Sequence, residues 1–250
     1  MARTMLPREH GAWAQLALPL LTALGMAVPK GAGLTLAGSS CALFVVHEPL
    51  LVLLGIRGTR AVREDGARAR RWLAIVGAIA VVLGVAGVAL GNPASHASMA
   101  VPVLLSLVLG AFVHARMERT LTGELVAGAA LAAMALPVAL ADGVSPERAY
   151  GAFAAWVLSF SASTYVVRGI IAAETRGKLL LAPALAVALV AGAAALRAAP
   201  WALLWAIVPV CAVTAGAIFA GVTPKKLRTV GWALAAASTS TAALLVLELR

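Results

Sequence analysis

The feature that most constrains this chain is a succession of long apolar stretches separated by short polar connections. Crossing the hydrocarbon core of a bilayer takes about 20 mostly apolar residues in a helix, and only helices or closed barrels satisfy backbone polar groups in lipid. The stretches here are continuously apolar rather than alternating, which predicts helices and excludes a barrel. With 62% hydrophobic and 12% charged residues among 250, the composition is that of an integral membrane protein.

Turn-forming residues divide the apolar stretches into separate predicted spans. The nine spans are 11–28, 32–55, 72–90, 98–113, 121–141, 149–167, 179–196, 201–222 and 230–247. The first is too long for the apolar part of a signal peptide and the second follows closely, so we expect it to be a span. The fold class is therefore predicted to be an all-α polytopic membrane bundle, with a single transmembrane domain over residues 1–250.

The distribution of lysine and arginine predicts the orientation of this bundle. Of the 20 such residues, 16 fall on one side of the predicted membrane, and the other side has only Lys30, Arg148, Arg197 and Arg250. The positive-inside rule then places the N-terminus in the cytoplasm and, after nine spans, the C-terminus outside. The net charge of +10 thus reports orientation. With 5% aromatic residues, we expect membrane lipids and no nucleic acid as partners.

Polar residues at membrane depth are concentrated at the cytoplasmic ends of the predicted spans. Because a charge in lipid is costly, such residues suggest function unless they only reach out from a helix end. The set consists of Glu9, His10, His47, Glu48, His114, Glu124, Tyr165 and Arg168. We therefore expect a polar cavity that faces the cytoplasm.

Two motifs support this expectation. Ser161, Tyr165 and Arg168 are spaced i, i+4 and i+7, so a hydroxyl, a phenol and a guanidinium share one stripe of the sixth span. In the second span, the pair His47-Glu48 is followed by a proline, which interrupts the helical hydrogen bonds at the same depth. A kinked polar helix is typical of a cavity wall.

These residues receive predicted roles. His47 and Glu48 are the candidates for a catalytic acid or base. The predicted substrate-binding residues are His10, Arg57, Arg60, His114, Arg119, Ser161, Tyr165 and Arg168. Structural interpretations stay open: an ion pair of Glu48 with Arg57 or Arg168 is the alternative to a catalytic role, and Tyr165 is also typical of a membrane-interface residue. No two histidines share a short helical spacing, so no metal site is predicted.

Other residues suit packing better than chemistry. Gly77, Gly84 and Gly87 are predicted to allow close helix contact, and Ser238 to Thr241 to form hydrogen bonds between helices. Cys41 and Cys211 lie within apolar stretches and are interpreted as small buried hydrophobic residues. The six arginines from Arg57 to Arg71 form a predicted loop that orients the chain, with contact to anionic lipids as the second interpretation.

Two segments carry a family resemblance. The opening "LPREHGAWAQLALPLL" and the later "HEPLLVLLGIRGTRA" resemble the YwiC-like family of bacterial membrane proteins. The resemblance implies a multi-pass protein of the bacterial cytoplasmic, or inner, membrane.

More distantly, the predicted layout is similar to the UbiA superfamily of intramembrane prenyltransferases, and "RMERTLTGELVAGAALAAMALP" resembles its basic loop and fifth helix. This resemblance implies an isoprenoid-like or other amphiphilic small molecule as a partner. Those enzymes hold magnesium and a prenyl diphosphate with two aspartate-rich motifs, whereas this chain has only Asp65 and Asp142. Magnesium-diphosphate chemistry is therefore not supported, and no cofactor is predicted.

Three functions stay open from the sequence. The chain is predicted to bind an amphiphile with an anionic or polar head, with a metal-independent transferase or lyase activity as an extension of that role. A non-catalytic accessory or assembly protein is the first alternative. A small-anion transporter is the second, although few polar residues continue toward the outer face.

Overall fold

A computed structural model describes residues 5–7, 10–195 and 200–250, with the side chain of His10 excepted. Every regular element in these residues is helical, which confirms the all-α class. The helices are α1 His10–Gly25, α2 Gly31–Leu53, α3 Thr59–Leu90, α4 Pro93–Ser98, α5 Ala100–His114, α6 Leu121–Ala133, α7 Ala135–Ala141, α8 Pro146–Ile171, α9 Arg176–Ala195, α10 Ala202–Phe219 and α11 Leu227–Leu249. A 3-10 turn, Pro224–Lys226, precedes α11.

Eight helical segments in the described part of the chain are long and apolar enough to cross a bilayer. They are α2, α3, α4 with α5, α6 with α7, α8, α9, α10, and α11 with its preceding turn. These segments confirm a polytopic membrane protein. Helix α1 is apolar but has 16 residues, a length of about 24 Å. The count of nine spans and the orientation stay predictions.

Contacts between the connections define two ends of the bundle. At the end that we call the basic end, Arg168 at the close of α8 contacts Glu124 at the start of α6. At the end that we call the opposite end, the Lys30 backbone N–H before α2 donates to Asp142 after α7. Arg148 at the start of α8 donates there to the Leu249 carbonyl at the close of α11.

The segment around α1 reaches both ends. Met5 packs at the basic end in a buried cluster with Val52 and Ala69. Met26 lies at the opposite end, beside Leu249. Described non-helical residues on each side of α1 thus reach beyond the helix toward the two ends.

Helix α3 is longer than the predicted span 72–90. It begins at Thr59, so the arginines that were expected in a loop lie on a continuous helix. The physical reason is local: residues 59–71 are rich in Ala and Arg and contain no proline, a composition that favours helix. The real connection is short, and its turn uses Gly55 and Gly58, which have φ values of 73° and 92° that other residues rarely adopt.

Helices α2 and α3 pack closely as a hairpin. The Ser39 hydroxyl donates to the Ala80 carbonyl at 2.8 Å. A methyl group on Gly87 would lie 2.6 Å from the Leu36 side chain, and one on Gly84 would lie 3.1 Å from the Ser39 hydroxyl oxygen. The close-packing prediction is confirmed for these two glycines. It is wrong for Gly77, which has no neighbour within 4 Å.

The largest buried cluster joins α1, α2 and α6 to α11, and it includes Trp156 stacked on Phe160. The Thr241 hydroxyl of α11 donates to the Ala206 carbonyl of α10 at 2.7 Å, as predicted for this run, whereas Thr239 and Ser240 bond within their own helix. Cys211 is buried as expected. Cys41 is exposed on the bundle surface, so its predicted burial is wrong.

Candidate functional site at the basic end

Among the described residues, Glu48 is the most buried charged group at the basic end. Helix α2 continues through Pro49, and the Glu48 side chain is only 3% exposed. One carboxylate oxygen accepts a hydrogen bond from Arg57 Nη2 at 2.5 Å. Such a charge-assisted bond offsets the cost of burying the carboxylate. Of the two arginines proposed from the sequence as partners, the structure selects Arg57.

Arg57 uses only part of its hydrogen-bonding capacity in this contact. A guanidinium has five N–H donors. Its Nε lies buried and has no hydrogen-bond partner among the described residues, while the side chain as a whole is 27% exposed. Arg57 is thus held in place by Glu48 and keeps further N–H groups that can donate to an anionic group.

Arg168 is engaged more fully. Its Nε and Nη2 donate to the two carboxylate oxygens of Glu124 at 2.7 and 2.6 Å, a bidentate contact between α8 and α6. Nη2 also donates to the Arg119 carbonyl. Arg168 therefore fastens the α5–α6 connection to the end of α8.

The α5–α6 connection is shaped by local geometry as well. Arg116 adopts a positive φ of 57°, and the Thr120 hydroxyl accepts the Gly123 N–H at 3.1 Å to cap α6. A methyl group on Gly123 would overlap the Met117 carbonyl. This tight turn brings Arg119 within reach of Arg168.

His47 and Glu48 point to different surroundings although they are adjacent. Glu48 is buried and His47 is exposed. His47 belongs to a stripe of exposed α2 residues spaced i, i+4, i+7 and i+11, which we call the α2 stripe: Leu43, His47, Leu50 and Leu54. The predicted acid–base pair is thus split between the bundle interior and its surface.

The remaining predicted residues are dispersed. Arg60 is exposed and pairs with Glu64 one turn further along α3. His114 and Arg119 are exposed at the basic end. Tyr165 packs against a small cluster formed with Ile170 and Ile218, and Ser161 is half-buried. The side chain of His10 and the whole of Glu9 lie outside the described residues.

The nine predicted residues whose side chains the structure describes do not form a single group. Helix α2 packs mainly on α3 and α7, and α6 packs mainly on α5 and α8. The Glu48–Arg57 and Glu124–Arg168 pairs therefore belong to different groups of helices. Within the described ranges, no three His, Cys, Asp or Glu side chains are grouped as a metal ion would require.

Sequence reasoning missed two polar positions. Gln15 of α1 faces Gly128 of α6. A methyl group added to that glycine would lie 3.5 Å from the Gln15 Nε2 atom. Asp142 is 3% exposed and accepts the Lys30 N–H at 2.9 Å. A lone amide inside an apolar stretch and an acid after a helix were the signals available for them.

An open hollow of about 640 Å³ lies at the opposite end, away from the predicted cavity. Its lining includes Met26, Glu147, Arg148 and Leu249. Arg148 is already engaged there, because its Nη1 donates to the carbonyl of Leu249 at 3.3 Å. The hollow thus places charged groups at the end where the sequence indicated few.

The apolar helices and the paired charges at one end of the bundle define a multi-pass membrane protein. Comparison with protein families matches residues 6–139 to the family described as YwiC-like protein, which is more than half of the chain. The chain therefore belongs to the YwiC-like family. The matched region contains Glu48, Arg57 and Glu124, and Arg168 lies outside it. No curated protein and no solved structure gives a significant match.

Proposed function

We propose that this protein binds an amphiphile with an anionic or polar head in the cytoplasmic half of a bacterial inner membrane. The head group contacts Arg57, and the apolar part lies along the α2 stripe. Two observations carry the proposal: Arg57, just after α2, is partly exposed with a buried Nε that has no partner among the described residues, and α2 itself presents an exposed apolar stripe.

The charge arrangement supports a bound anion. Glu48 accepts from Arg57 Nη2, and the buried Nε has no partner among the described residues. A phosphate or carboxylate accepting from that nitrogen satisfies a buried donor, whose desolvation otherwise costs about 1–3 kcal/mol. Planar anions suit guanidinium donors because the contact is bidentate.

The apolar surface supports a hydrocarbon tail. Leu43, Leu50 and Leu54 are exposed along one line of α2. An isoprenoid-like or acyl chain lying on this line keeps its head near the end of the helix. His47 lies on the same line, so a transferase or lyase activity, if present, would use His47 next to the ligand rather than the ion-paired Glu48.

The test is lipid and metabolite mass spectrometry on protein extracted with its surrounding membrane. The double variant Glu48→Gln with Arg57→Gln removes both charges yet keeps a hydrogen-bonding pair, so the fold is retained. We expect loss of a species that co-purifies with the wild type. Arg228→Gln, an exposed charge at the same end, should retain it. Equal amounts of that species in wild type and double variant would refute the proposal.

A non-catalytic accessory protein is the second candidate. Only 11% of the spanning window is buried in α3 and in α4 with α5, against 61% in α6 with α7. These two poorly buried segments suit contact with another membrane protein as well as with lipid. Retention of the same bound species in the double variant would favour this candidate. The transporter alternative has less support, because the hydroxyls of Thr35, Ser39 and Ser40, its main candidates for a polar path, donate to backbone carbonyls.

A further inference from the structure

Helix α3 extends well beyond the thickness of a bilayer core. Its 32 residues span about 48 Å, against a hydrocarbon thickness of about 30 Å. The apolar part of α3 lies toward its C-terminal end, and five arginines with two acids lie in the first 13 residues. The N-terminal part of α3 is therefore expected at the level of the lipid head groups.

This N-terminal part has a packed face and a free face. Ala61 and Ala69 are buried in the cluster with Met5 and Val52. Arg63 and Arg70 are exposed, and their spacing of seven residues places them on one line of the helix, away from the two alanines. The small residues bring α3 close to the bundle while the guanidinium groups extend outward.

The same line continues as an apolar surface. Val81 and Val88 follow Arg63 and Arg70 at spacings of 11 and seven residues, so all four lie within about 20° of one another around the helix. Val81 is 64% exposed and Val88 is 43% exposed. One face of α3 thus changes from cationic to apolar along the helix axis, as the surface of a membrane leaflet does.

We propose that this face binds an anionic phospholipid of the surrounding bilayer. The phosphate accepts from Arg63 and Arg70, and the acyl chains lie against Val81 and Val88. Orientation alone requires positive charge at this end of the chain. It does not require the charges to share a line with exposed apolar residues. This site is separate from the one at Arg57, and the inference does not depend on the proposed function.

The test compares lipid binding by purified full-length protein. Phosphatidylglycerol, phosphatidylcholine and inorganic phosphate are added separately, and binding is measured by native mass spectrometry and by the shift in thermal unfolding. The double variant Arg63→Gln with Arg70→Gln should bind phosphatidylglycerol about 30-fold more weakly, because each basic residue at an anionic surface strengthens attachment about fivefold. Arg63→Lys with Arg70→Lys should restore most of the binding.

The matched control removes the same charge elsewhere at the same end. Lys225 and Lys226 are exposed, and Lys225→Gln with Lys226→Gln should change binding less than threefold. Equal loss in both double variants would show a general charge effect and overturn the proposal, as would unchanged binding in the arginine variant. Full competition by inorganic phosphate would indicate a soluble-anion site instead. The species lost on changing Glu48 and Arg57 should be retained in the Arg63 and Arg70 variant.

Discussion

The two ends of the bundle hold their acidic residues in different ways. At the basic end, Glu48 and Glu124 accept hydrogen bonds from the side chains of Arg57 and Arg168. At the opposite end, Asp142 accepts a backbone N–H at the start of α2. A guanidinium can exchange one acceptor for another, whereas a backbone N–H has a fixed position. The basic end is therefore the better suited of the two to exchange a carboxylate for a ligand, as our proposal requires, whereas the contacts at the opposite end join helices.

The opposite end is stabilised by further backbone contacts. Asp142 lies near the N-terminus of α2, where the helix dipole favours a negative charge. The Asn92 side chain accepts from Ser95 to cap α4 and donates to the Leu140 carbonyl of α7 at 2.7 Å. These contacts join the connections before α2, α4 and α8 without using an ion pair between side chains.

The largest expected effect comes from breaking the buried pair at the basic end. Arg57→Leu removes the guanidinium that donates to the buried Glu48 carboxylate and should lower the free energy of unfolding by about 3 kcal/mol. Arg168→Leu should cost about 1 kcal/mol or less, because both side chains of that pair are more than a third exposed. Unfolding in a detergent titration, followed by tryptophan fluorescence, measures both. Similar losses in the two variants would show that burial does not distinguish the pairs.

An intermediate effect is expected at the opposite end. Asp142→Ala removes the acceptor for the Lys30 N–H and should cost about 1–2 kcal/mol, the usual value of a helix cap. Asp142→Asn should cost less because an amide oxygen still accepts. The exposed Glu147 in the first turn of α8 is a matched control, and Glu147→Ala should cost about 0.5 kcal/mol. If Asp142→Ala lowers the free energy of unfolding no more than Glu147→Ala does, Asp142 does not have the structural role that we assign to it.

The smallest effect is a dependence on pH. Burial raises the pKa of Asp142 above its ordinary value of 3.8, although the N–H groups of Lys30 and Gly33 partly offset the shift. A raised pKa means that the folded state favours the protonated carboxyl. This contribution to stability is fully present below pH 3.8, and it is lost as pH rises through the raised pKa. The stability of the wild type relative to Asp142→Asn should therefore fall slightly as pH increases through that window. A constant difference between the two proteins, measured by thermal unfolding across pH, would contradict the shift.

Much of the fold followed from hydropathy. The helical class and most of the span positions were predicted, because an apolar run in lipid must satisfy its own backbone. The start of α3 was missed, because charged residues ended the apolar signal while Ala, Arg and Glu continued the helix from Thr59. Hydropathy indicates which residues favour the membrane interior. It does not indicate where a helix begins outside the membrane.

The candidate site was predicted less completely. Charge and depth placed Glu48, Arg57, Glu124 and Arg168 at one end of the bundle. Neither property indicates which helices are neighbours, so the sequence left both Arg57 and Arg168 as possible partners of Glu48. The exposed position of His47 followed from the packing of α2, because adjacent residues on a helix point about 100° apart.

By itself, the sequence determined that this protein is a helical membrane bundle with most of its positive charge at one end. These properties depend on local composition and on the requirements of lipid, so they do not need tertiary information. Only the tertiary structure decided that Glu48 pairs with Arg57, that Arg168 holds the α5–α6 connection, and that Asp142 caps α2. Each of these contacts depends on which chain segments meet, and long-range packing alone settles that.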